Sequence, residues 1–232
     1  HKQMDAALET GLDGFKNDGT DPYTFLLLLI RSHKGIITER EYADAYYRDF
    51  LYYTREKRGK HALVMSRPAD SFHVAGLDLF LDFAPKDCLT SGWVGDQDPT
   101  FEGLKLALRN MFRSAEHGYA NYGSDIGGYR SFHWPEGTDP RVIKLGRSKE
   151  LFLRWAQLGA FNSLMENGGN GVHEPWIFDQ VYNSNDTVVI YRKFTHIHKD
   201  LSPYLYAIGS HALETGSSVM KPMAYSAEFP SS

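Results

Sequence analysis

Cysteine is almost missing: Cys88 stands alone among 232 residues, so an intrachain disulfide and a thiolate metal cluster are both excluded. Long apolar runs are missing too. The longest, Phe25–Ile30 (FLLLLI), falls far short of the ~20 residues that a membrane-spanning helix needs. Excess positive charge is absent, with 25 Lys and Arg against 29 Asp and Glu. Without a basic stripe or a basic amphipathic helix, neither nucleic acid nor a membrane surface is an expected partner. No glycine loop with an adjacent Lys or Arg suits a phosphate.

His33, His61, His73, His117, His133, His196, His198 and His211 are scattered without ligand spacing. His196 and His198, two apart, point away from one another on a helix. No metal and no cofactor is therefore expected. An initiator Met and a signal peptide are lacking as well, and HKQMDAALET reads as the end of a helix. The chain is expected to open in the middle of a fold; secretion and a cytoplasmic location both fit. What is plentiful is aromatic side chain, at 14%, which suits a site that stacks on flat apolar faces.

Short strand-like runs alternate with helical ones. Strands are expected at Gly14–Asn17, His61–Ser66, Cys88–Trp93, Tyr119–Tyr122 and Phe161–Met165. Helices are expected over Thr38–Lys57, from an Asp98 cap with Pro99 in first place, from a Ser148 cap, and over Phe194–Ala212. Phe101, Leu104, Leu108 and Phe112 would form the apolar face of the second of these. Val219–Ala224 reads as a strand of something else. Such alternation predicts an α/β fold with a parallel sheet covered by helices. No internal repeat and no low-complexity linker interrupts it.

The polar residues fall at one end of these strands. Asp18, Arg67, Asp96, Asp125 and the Glu166–His173 loop each follow a strand's carboxyl end. That is the functional rim of a (β/α)8 barrel and also the ligand crevice of a doubly wound sheet. Local roles compete: Asp18 and Asp125 beside glycines suit turns, Asp96 a helix cap, and Arg67 a structural ion pair. Cleaving a glycosidic bond needs two carboxyl groups in different protonation states flanking the anomeric carbon, and a barrel rim brings distant strand ends together for that.

DGFKND, WVGDQ, YGSDIGGY and LFLRWAQLGAFNSLME, in this order, resemble glycoside hydrolase family 31, the α-glucosidase and α-xylosidase family. The resemblance runs from about Gly11 to Pro230. It implies strands 4–8 of a (β/α)8 TIM barrel over residues 1–215 and the entry to a following β-sandwich over 216–232. It also implies an α-glycoside as substrate and further N- and C-terminal domains of the same enzyme, without which this stretch is expected to be unstable and inactive.

By match to the family's motifs, Asp18 is the nucleophile and Asp96 the general acid/base of a retaining glycosidase. Arg67 looks like the family's arginine that bonds sugar hydroxyls, and Asp125 like its buried acidic residue. His173, in MENGGNGVHEPW, is the candidate for the sugar-binding histidine after strand 8. Lys16 would share the face of Asp18 and help keep it ionised, while Trp93 and Trp176 near the rim would stack on a pyranose. A transglycosylase or lyase of the same family, or a carbohydrate-binding pseudoenzyme, are the alternatives.

Overall fold

The computed structural model describes residues 1–18, 29–74, 77–82 and 84–221. The chain divides into two units, His1–Trp93 and Val94–Ser232.

In the first unit, α1 (Lys2–Glu9) buries Met4 and Leu8, one turn apart, as their spacing predicts. After β1 (Gly14–Lys16), β2 (Leu29–Ser32) and β3 (Gly35–Thr38) form an antiparallel hairpin with Ile30 opposite Ile37. This hairpin was not expected from the sequence. α2 (Glu39–Arg58) starts with a reciprocal cap. The Thr38 hydroxyl accepts from the Glu41 N–H at 3.2 Å, and the Glu41 carboxylate accepts from the Thr38 N–H at 2.7 Å.

Ala43, Tyr47 and Leu51, four apart along α2, are buried with Val64, Ala84 and Cys88 in one apolar cluster. Burial pushes the Cys88 thiol up to about 12, so it stays an inert core side chain. β4 (Leu63–Ser66), the antiparallel hairpin β5 (Ala69–Val74) and β6 (Leu77–Asp82), and β7 (Ser91–Trp93) complete the unit. β4 pairs in parallel with β1, Phe15 opposite Val64, and with β7, Met65 opposite Ser91. The strand expected from Cys88 begins only at Ser91, because Cys88 closes a turn through its N–H to the Pro85 carbonyl at 3.1 Å.

The second unit opens with α3 (Phe101–Glu116), and its cap corrects the expectation. The cap is Thr100, whose hydroxyl accepts from the Gly103 N–H at 3.0 Å; Asp98 and Pro99 belong to the preceding turn. Close approach is the cause: a Cβ on Gly103 would sit 2.0 Å from the Asp98 carbonyl oxygen, so the turn folds back onto the helix. The apolar face differs accordingly. Gly103, Ala107, Asn110, Met111 and Ser114 are buried, Leu104, Leu108 and Phe112 are half-buried, and Phe101 is exposed.

β8 (Tyr122–Asp125) starts where the expected strand ended and finishes on Asp125 itself. α4 (Pro140–Leu145), unexpected, precedes α5 (Lys149–Gly159), whose Ser148 cap and buried Leu151 and Trp155 agree with the sequence. β9 (Leu164–Glu166) pairs in parallel with β8, placing Asp125 opposite Glu166; it starts three residues after the exposed Phe161.

The unexpected α6 (Pro175–Tyr182) leads to α7 (Asp186–Thr215), which starts well before Phe194. Its early start has a partner in the preceding helix. The Asp179 carboxylate accepts the N–H groups of Thr187 at 2.9 Å and Val188 at 3.1 Å. Phe152 stacks on Phe178 and on Tyr191, fastening α5 to both. The strand expected over Val219–Ala224 lies partly outside the described residues, as does most of the expected β-sandwich entry.

Candidate active site

Asp18 is the second residue past β1, and Arg67 directly follows β4, the neighbouring parallel strand. Arg67 grips one carboxylate oxygen of Asp18 twice, with Nε and Nη2 each 2.8 Å from Oδ1. The two ends of this pair differ sharply. The Arg67 side chain is 7% exposed and that of Asp18 73%, so a buried cation presents an accessible carboxylate.

Beneath them lies Trp93, the last residue of β7, itself 2% exposed. The Arg67 guanidinium carbon is 5.0 Å from its ring centroid and the Lys16 ammonium 4.2 Å. Trp93 thus serves as the floor under two cations. Beside Asp18, the Asn17 amide is buried, with no hydrogen-bond partner among the described residues.

In the second unit, Asp96 is half-buried in the loop before α3, and the next residue, Gln97, organises that loop. The Gln97 side chain donates to the Val94 carbonyl at 2.7 Å, and its own carbonyl accepts the N–H groups of Tyr129 and Arg130. Asp125 ends β8 fully buried, and the chain turns sharply as its carbonyl accepts the Gly128 N–H at 3.0 Å. Gly128 has φ +85°, and a Cβ there would lie 2.7 Å from the Asp98 carbonyl oxygen.

His173 is buried and joined to a residue that the sequence reading missed. Arg147, fully buried between α4 and α5, places Nη1 2.8 Å from Nδ1 and 2.6 Å from Nε2 of His173. Its Nη2 donates to the Asn170 carbonyl. Asn167 Nδ2 donates to the His173 carbonyl at 2.9 Å, and its Oδ1 lies 3.1 Å from His173 Nδ1.

Burial lowers the Arg147 guanidinium to about 10, the charge of Asp125 opposing that change. Burial, and next the Arg147 charge, lower His173 to about 4. A guanidinium can only donate, so the neutral imidazole accepts from it through its unprotonated ring nitrogen. Nothing in the sequence marks Arg147 beyond its place just before the Ser148 cap.

Lys16, Asp18, Arg67 and Trp93 come together in the first unit; Asp125, Arg147 and His173 do so in the second. Trp176, in the first turn of α6, is 56% exposed. Among the described residues no cluster of His, Cys, Asp and Glu could hold a metal ion.

A family model for the glycosyl hydrolase family 31 TIM-barrel domain matches residues 1–208. The chain belongs to this family. Family 31 relatives include the isomaltosyltransferase of Sporosarcina globispora, 26% identical over 95% of this chain and 18% of that protein. The sulfoquinovosidase of Escherichia coli is 30% identical over 58% of this chain and 18% of its own length. The α-xylosidase of Emericella nidulans is 30% identical over 60% of this chain and 15% of its own.

The chain therefore spans less than a fifth of the length of these curated relatives. In fold it is similar to the cycloalternan-forming enzyme of Listeria monocytogenes in complex with a pentasaccharide substrate. That structure has a TM-score of 0.68 at 18% identity and is matched over 93% of this chain and 19% of its own.

Proposed function

We propose that this chain carries the catalytic carboxylates of a retaining α-glycoside hydrolase and acts as part of a longer enzyme. The observation that carries the reading is the double contact from buried Arg67 to exposed Asp18 at the ends of adjacent parallel strands. A carboxylate fixed by a cation stays ionised and aimed, as a nucleophile at an anomeric carbon requires.

Asp18 attacks C1 of the sugar while Asp96 gives its proton to the departing oxygen. Water then releases the sugar from Asp18, with Asp96 now acting as base. His173, kept neutral by burial and by Arg147, and the buried Asp125 are assigned to sugar binding. The exposed ring of Trp176 is a stacking surface at the rim.

The test uses the full-length enzyme and an aryl α-glycoside. Asp18→Ala and Asp96→Ala are each expected to lose a factor of about 10³ or more in turnover. Azide is expected to give a glycosyl azide of retained configuration with Asp96→Ala and not with Asp18→Ala. Wild-type turnover by Asp18→Ala would end this reading.

A second reading is transfer of the glycosyl group to another sugar. It is favoured by the match to an isomaltosyltransferase over nearly the whole chain. Longer oligosaccharide products at high substrate concentration identify it.

A further inference from the structure

The loop that carries Asp96 is pinned at both ends inside the second unit. At its start, the Val94 N–H donates to the Gly123 carbonyl of β8 at 3.0 Å. The Val94 carbonyl accepts from two side-chain amides, Asn110 Nδ2 of α3 at 3.3 Å and Gln97 Nε2 at 2.7 Å. At its far end, the Gln97 carbonyl accepts the N–H groups of Tyr129 at 2.8 Å and Arg130 at 3.1 Å. Gln97 thus holds in two directions. Its side chain closes back onto Val94, and its backbone ties the loop to the chain after β8.

The side-chain contact closes a small ring over Gly95 and Asp96. Gly95 takes φ +93° in it, a left-handed conformation that glycine adopts without strain. Asp96, inside that ring, is half-buried, whereas Gln97 is 1% exposed. As interior filling a glutamine is a poor choice here. Its Oε1 is buried with no hydrogen-bond partner among the described residues, a desolvation cost that a methionine of the same length would avoid. What glutamine supplies and methionine lacks is the Nε2 donor to Val94.

A general acid works only within hydrogen-bond reach of the atom it protonates, and a misplacement of about 1 Å can cost a large factor in rate. We infer that Gln97 is a positioning residue: its clip onto the Val94 carbonyl holds Asp96 in place for both proton transfers, to the departing oxygen and from the attacking water. This rests on the assignment of Asp96 under Proposed function.

Full-length wild type, Asp96→Ala and Gln97→Met would be compared on dinitrophenyl and unsubstituted phenyl α-glycosides of one sugar. Dinitrophenolate departs without a proton, whereas phenolate needs one. Gln97→Met is expected to lose roughly tenfold in kcat/KM on the phenyl glycoside and less than about twofold on the dinitrophenyl one. Its kcat on the dinitrophenyl glycoside is expected to fall, because release of the sugar from Asp18 still needs a base, and azide is expected to restore it.

Gln97→Glu keeps the length but exchanges the donor for an acceptor. It is expected to show the same selectivity, and it carries the test should the methionine variant fail to fold. With a selective Asp96→Ala, equal losses on both glycosides for the Gln97 variants, or none on either, would overturn the inference. An Asp96→Ala that loses both equally, or neither, would sink the assignment of Asp96 and this inference with it, so the two failures are distinguishable.

Discussion

Arg147 and His173 form a buried contact between a guanidinium and an imidazole, with Nη1 2.6 Å from Nε2. Two residues that are often both cationic share this space only because one gives up its proton. Burial disfavours charge on either, and the guanidinium is by far the stronger base, so the imidazole is the group that stays neutral. His173 is therefore held as a neutral imidazole.

Replacing Arg147 by Met tests that account directly. The His173 pKa is expected to rise from about 4 toward the ordinary value of ~6.5, because one of the two influences that lower it is removed. Histidine resonances followed by NMR across pH would measure it. An unchanged His173 titration would contradict the contact.

The same pair sets a direction for stability against pH. His173 takes up a proton less readily folded than unfolded, so the unfolded state binds more protons between about pH 6.5 and 4. Its contribution is fully present above the unfolded pKa and declines as pH falls through that window. The midpoint of thermal unfolding is expected to drop there for wild type, and to drop less for His173→Asn.

The start of α3 gives a third test. Thr100→Ala is expected to cost about 1 kcal/mol, because the Gly103 N–H loses its acceptor. Asp98→Ala is expected to cost clearly less, since the side chain of Asp98 is not the cap of α3. Denaturant midpoints of the two variants would rank them.

Gly128 supplies a fourth. Its φ of +85° and the nearness of the Asp98 carbonyl leave no place for a methyl group. Gly128→Ala is expected to destabilise by at least the ~1–3 kcal/mol of a strained backbone. It is also expected to lower kcat/KM by moving the loop of Asp96. A calorimetric scan and a glycosidase assay would follow the two effects.

Interior hydrogen bonding adds a fifth. The Trp155 indole donates to the Ser124 hydroxyl at 2.8 Å inside the second unit. Trp155→Phe is expected to cost about 1–3 kcal/mol by leaving Ser124 buried and without that donor. Thermal unfolding would show it.

Much of this architecture was legible because local chemistry and burial agree. Met4 and Leu8 and the Ser148 cap act within a few residues of where they stand, so they are readable directly, whereas the buried face of α2, Ala43, Tyr47 and Leu51, is set by what packs on it. The misplaced cap of α3 has a non-local cause: Asp98-Pro99 is a good start signal, but Gly103 lets the preceding turn fold onto the helix and hands the role to Thr100.

The early start of α7 depends likewise on a carboxylate from another helix, Asp179. Carboxylates at strand ends could be picked out one by one, since turn-rich flanks mark them. Arg147 could not, because an arginine ahead of a capped helix looks solvated until the fold wraps His173 and the Asn170 carbonyl around it.

Trp93 has an optical consequence. Its indole lies under the Lys16 ammonium and under the same guanidinium that grips Asp18, so the local field at its ring follows the position of that cation. Whatever draws Arg67 away from the ring changes that field and with it the emission of Trp93.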